Sequence, residues 1–120
     1  MKYMILIYGN EELWGSFDEA SFKQAVADTE AQHAALTASG EFVGAWGVGD
    51  QAVAKTVTVA DGERIVTDGP YIETKEYLAS FEIVDVESEE RAIEIAAEVP
   101  FARIGRVEIR PLLHESDSNT

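Results

Sequence analysis

The segment Thr67 to Glu76 concentrates side chains that could do chemistry: Asp68, Tyr71, Glu73, Thr74, Lys75 and Glu76 flank or follow the turn Asp68-Gly69-Pro70. Gly69 has access to backbone angles closed to other residues, while Pro70 fixes its own φ and biases Gly69 away from the helical region. The expected result is a rigid corner that presents ionisable groups. Asp68, held at such a corner and shielded from water, can serve as a general base; the alternative is an Asx-type turn in which its carboxylate accepts the amides of Gly69 or Tyr71. Tyr71 can donate its phenol to a ligand oxygen or simply pack its ring. Lys75 can hold an anion, with Glu73 beside it as a second ligand contact, or the two can form exposed ion pairs. Such pairs contribute only about 0–1 kcal/mol, a weak reason for the cluster to exist.

Elsewhere the candidates are fewer. Histidine exchanges protons near neutrality, and His33 is the one histidine outside the C-terminal segment. It falls on the expected buried stripe of a long helix, where it is either a catalytic partner of Asp68 or a satisfied core residue. Arg106 and Arg110, with Arg103, bring positive charge to the last strand region of an acidic chain and could orient an anionic ligand. Their alternative use is pairing with Glu82 or Glu108. His33 and His114 lack metal-ligand spacing, there is no cysteine, and no calcium loop is present, so no metal is expected. Gly44, Gly47 and Gly49 lack the spacing of a phosphate-binding loop, and no cofactor is expected.

The composition narrows the classes. A chain of 120 residues is one domain with a modest core. Its net charge of −14 repels a phosphate backbone, which argues against direct nucleic-acid binding. The apolar run Tyr3 to Tyr8 is too short to span a bilayer, and no cleavage site follows it. A cytoplasmic protein with no membrane partner is the expectation.

Several elements must position these residues. Tyr3 to Tyr8 is apolar on both faces and reads as a central strand. Ser16 to Glu19 matches a capping box opening a helix to about Ser39, with Phe22, Val26, Thr29, His33 and Leu36 as its buried stripe and Gly40 as a left-handed cap. Phe42 to Trp46 is a second strand. Lys55–Val59 and Glu63–Thr67 form a hairpin about Asp61-Gly62. Leu78 to Val86 is a strand, Ser88 caps a second helix that closes before Pro100, and Arg106 to Arg110 is the last strand. Residues 1–113 form the domain and 114–120 an expected disordered tail. The order β-α-β, hairpin, β-α-β fits a ferredoxin-like α+β sandwich with both helices on one face of an antiparallel sheet. Its open face mixes apolar and charged side chains, a pattern suited to burial against a second copy.

The Asp68-Gly69-Pro70-Tyr71 turn followed by Glu73-Thr74-Lys75-Glu76 resembles the signature of the DGPF family within the YCII-related proteins, with Tyr71 in place of the usual Phe. The resemblance extends to the opening strand Met1 to Gly9, to Phe81–Val86, to the helix Ser88 to Pro100 and to the strand Gly105 to Pro111. It implies a dimeric α/β barrel, and hence a homodimer. Some YCII-related enzymes use a first-helix histidine with an aspartate for proton transfer, which implies a His33–Asp68 pair, although Thr29 lies closer than His33 to that histidine's usual position. The family's gene neighbourhoods imply a second role, non-enzymatic and regulatory, with a sigma factor as partner. The first role is small-molecule binding in a cleft beside the corner, for a small polar or anionic compound, with cofactor-free acid–base chemistry. Asp68 would be the base, His33 and Tyr71 would assist, and Glu73, Lys75, Arg106 and Arg110 would hold the ligand.

Overall fold

The computed structural model describes residues 1–116. Eight residues, Lys2–Gly9, form β1, and a five-residue helix α1, Glu11–Gly15, follows at once. The long helix α2 spans Glu19–Ser39, and β2 spans Phe42–Gly47. A short 3-10 turn at Gln51–Val53 leads into the strands β3, Lys55–Ala60, and β4, Glu63–Asp68. The chain closes with β5, Tyr77–Asp85, helix α3, Glu89–Ala97, a second 3-10 turn at Pro100–Arg103 and β6, Arg106–Pro111.

β2, β5, β1 and β6 lie side by side in that order, each antiparallel to its neighbour. With α2 and α3 as the crossovers, this is the ferredoxin-like arrangement, and the β3–β4 hairpin is an insertion that forms its own two-stranded sheet. The core lies between sheet and helices. Tyr3, Ile5 and Ile7 on β1 and Val84 on β5 meet Leu36 of α2 and Ala92 and Ile95 of α3. Ile5, Ile95 and Val84 are the largest fully buried side chains, and burying each contributes roughly 1.5–3 kcal/mol.

Local sequence explains most boundaries. Ser88 accepts the Arg91 amide at the start of α3, and Gly40 ends α2 at φ +81°, where a β-carbon would be strained. Asp61 and Gly62 both have positive φ, as a two-residue hairpin loop requires. The start of α2 departs from expectation. Asp18, not Ser16, caps the helix, its carboxylate accepting the Ser21 amide at 2.7 Å. Ser16 is instead the C-terminal cap of α1, whose N-cap Asn10 accepts the Leu13 amide. The expected stripe also shifts: Phe22 and Val26 are exposed, and Ala25 and Leu36 are the buried residues of α2. Alanine buries without announcing itself in a hydrophobic pattern.

One ion pair ties the end of α2 to α3. The Arg91 guanidinium donates to both Glu41 carboxylate oxygens, at 2.8 and 2.9 Å, and Ser39 adds a hydroxyl donor. The Arg91 hydrogen bonds first, and the Ser39 bond second, hold the Glu41 carboxyl well below its usual value, from 4.5 to about 2. A depressed folded value means that this stabilisation is complete above pH 4.5 and fades as pH falls toward 2. The pair is only partly shielded from water, so its contribution is on the order of 1–2 kcal/mol. Arg91→Ala is therefore expected to lower neutral-pH stability by that amount and to flatten the dependence in this acid window. Urea unfolding at neutral pH and near the lower end of the window checks both; an unchanged acid slope would refute the assignment.

Candidate functional site

Register decides which side chains share a face. Ile5 stands opposite both Glu82 and Ile109, and Ile7 opposite both Ser80 and Val107. Glu82 and Ser80 therefore belong to the helix-covered face. On the other face Leu6 opposes Phe81, Met4 opposes Ile83, and Trp46 opposes Phe81. Glu82 is thus a carboxylate under a helix, 3% exposed. His33 comes down from α2 to meet it, with Nε2 at 2.9 Å from Oε2. An ionised carboxylate only accepts, so Nε2 carries the proton and donates. In the neutral ring Nδ1 is then the unprotonated nitrogen. The His33 ring also stacks on Phe42, centroids 4.7 Å apart.

These two residues stand in the wall of a cavity of about 230 Å³ between α2 and the β2–β5 side of the sheet. Ile7, Val99 and Phe101 supply apolar lining, with Trp46 and Phe81 at the β2–β5 side, and Thr29, Gln32 and Ser80 are its other polar residues. The positions of the wall have local causes. Trp14 of α1 lies so close over Gly9 that a β-carbon there would stand 2.1 Å from the ring. From that seat Trp14 meets Phe101 edge-on at 5.7 Å, and Phe17 meets the same ring at 5.8 Å. Gln32 is fixed by donating its amide to the Ile95 carbonyl at 2.9 Å. The Thr29 hydroxyl is turned back onto the Ala25 carbonyl.

Of the seven residues singled out from the sequence, His33 alone lines this cavity. Its partner is Glu82 rather than Asp68. Asp68 ends β4, exposed, and pairs with the Lys55 ammonium across the hairpin. The corner beyond it is indeed fixed: Gly69 has φ +96°, its amide donates to the Ala54 carbonyl at 2.8 Å, and its carbonyl accepts the Thr56 hydroxyl. Tyr71, Glu73 and Lys75 are exposed on that corner, Lys75 without an ion pair among the described residues, and Glu73 borders only a shallow depression with Gln51 and Pro70. Arg106 and Arg110 sit on β6, opposite Tyr8 and Met4, on the helix-free face, and neither pairs with Glu82. Among the described residues no group of three His, Asp or Glu could hold a metal, and no helix is long and apolar enough to cross a membrane. The expected tail splits: Glu115 is placed, pairing with Lys2 at 2.8 Å, while 117–120 lie outside the described residues.

A four-stranded antiparallel sheet in this order, with its helices on one face, is a ferredoxin-like α+β protein. The chain belongs to the family of proteins with a YCII-related domain, whose model matches residues 1–116. It is also similar to an uncharacterised protein of Rhizobium meliloti (strain 1021), 29% identical over 114 residues, which cover 93% of this chain and 92% of the relative.

Proposed function

We propose that the cavity beneath α2 binds a small polar organic molecule, and that the His33–Glu82 pair moves a proton on it without a cofactor. The observation that carries this is the buried carboxylate: Glu82 is held at 3% exposure in the wall of a cavity, hydrogen-bonded to the one histidine in the body of the fold. Keeping a carboxylate beneath a helix is costly unless it is paired, and here it orients the imidazole so that Nδ1 is the basic nitrogen. Cavities of this kind, mostly apolar with a few convergent polar groups, are the usual form of a small-molecule site. Crystals soaked with a library of small polar organic molecules test the assignment. Bound molecules are expected against His33 and Glu82; molecules found only at the Asp68 to Glu76 corner would move the site there.

The working form in this reading is a homodimer joined through the helix-free face. Met4, Leu6, Trp46, Phe81 and Ile83 share that face by register. The β3–β4 hairpin is a second surface in need of cover, since every residue of β4 is exposed and Val57, Val59 and Val66 share one side of it. The radius of gyration, 16.8 Å, exceeds the roughly 13.5 Å of a compact domain this long, as a chain with an outstretched arm requires. Asp68, Tyr71, Glu73 and Lys75 sit on or just beyond that arm, and the Asp68-Gly69-Pro70-Tyr71 turn supports placement among the DGPF proteins.

A further inference from the structure

Two side chains of the cavity wall each carry a buried acceptor with no donor among the described residues. Glu82 Oε1 and Gln32 Oε1 are both buried without a hydrogen-bond partner, while the other polar atom of each side chain is engaged, Glu82 Oε2 by His33 and Gln32 Nε2 by the Ile95 carbonyl. The Gln32 amide cannot be turned over, because its oxygen would then face the Ile95 carbonyl oxygen. Native interiors satisfy nearly all such atoms with protein or ordered water, so two acceptors left over on one cavity wall favour an occupant that donates. None of the chain's lysines or arginines lines this cavity to supply it.

We infer, on the strength of the cavity assignment above, that the ligand is an N–H donor with an apolar body, a neutral amide or a cationic amidine or amine, and that carboxylate and phosphate compounds are rejected. The two oxygens call for donors. The Glu82 charge repels an anion inside the cavity, and the net charge of −14 repels it on approach. Ile7, Val99 and Phe101 suit an apolar body rather than a hydrated ion.

Three compounds with one ring and different polar ends separate the possibilities: benzamidine, benzamide and benzoate. Each is titrated into the isotope-labelled full chain and followed by NMR at the Gln32 side-chain amide and the Ala45 and Gly47 amides, all in the cavity wall. Benzamidine and benzamide are expected to shift these signals, with benzamidine bound at least tenfold more tightly than benzoate. Glu82→Gln, which replaces one acceptor oxygen with a donor, is expected to weaken benzamidine at least tenfold. Benzoate binding as tightly as benzamidine at the same signals overturns the ligand class and leaves the cavity a binding site. No shift at these signals with any of the three overturns both. The wild-type comparison decides the matter even where Glu82→Gln fails to fold.

Discussion

His33→Ala is expected to destabilise the protein by about 2–4 kcal/mol at neutral pH, with much of the loss recovered when Glu82 is made apolar in the same chain. The substitution leaves a carboxylate at 3% exposure with neither oxygen bonded. Removing one partner of a buried pair usually costs about 3–5 kcal/mol, because the orphaned charge stays behind. The figure is lowered here because the His33 side chain is 27% exposed, so its removal admits water toward Glu82. Loss of the Phe42 stack works the other way, by up to about 1 kcal/mol. Replacing both partners removes the charge along with its need for a donor, so His33→Leu/Glu82→Leu is expected near wild-type stability or above it. Urea unfolding of the wild type, His33→Ala, Glu82→Leu and the double variants His33→Ala/Glu82→Leu and His33→Leu/Glu82→Leu, at one protein concentration, gives the coupling directly. A His33→Ala protein within about 0.5 kcal/mol of wild type would show that water already satisfies Glu82, and the case for a buried acid–base pair would fall with it.

The same pair shows what the sequence could and could not reveal. Element order was legible because strong local signals mark it: Asp61-Gly62 for the hairpin loop, Ser88 and Gly40 for helix ends, and the Asp68-Gly69-Pro70 corner with its left-handed glycine. His33 was legible as a residue on the sheet-facing side of α2. Its partner was not, because alternation along β5 sets Ser80 and Glu82 apart from Phe81 and Ile83, and polar residues on a strand ordinarily face water. Here the apolar set faces away from the helices and the polar set lies beneath them, an inversion visible only once Ile5 is seen opposite Glu82. The available hint was a carboxylate in a central strand of a chain whose long helix brings a histidine to the sheet. α1 escaped notice for a simpler reason: five residues are too few for a helical period, and only Asn10 marks its start. The Asp68 corner drew attention through the density of its charges, yet within one chain those charges are exposed.

That inversion has a consequence for assembly, and Ile83→Asp is expected to turn the proposed dimer into a folded monomer. Ile83 lies opposite Met4 on β1 and Gly44 on β2, at the centre of the helix-free face. Trp46 and Phe81 stack beside it with centroids 5.3 Å apart, and Trp46 is still 49% exposed. Large aromatic rings left half in water are typical of surfaces completed by a partner. β6 brings Arg106, Glu108 and Arg110 to the same face, alternating in sign, so a two-fold related copy can set each charge near an opposite one. A carboxylate at position 83 would be buried twice, once from each subunit, and at least a 100-fold weaker dimer is expected, about 3 kcal/mol. The fold should survive, because Ile83 contributes nothing to the helix-side core. Light scattering across a dilution series measures the change, and circular dichroism checks the fold. Salt supplies an independent readout: two subunits of charge −14 repel each other, so the proposed wild-type dimer should tighten as ionic strength rises. A wild-type protein that stays monomeric at every concentration and salt level would show that water, not a second copy, covers this face.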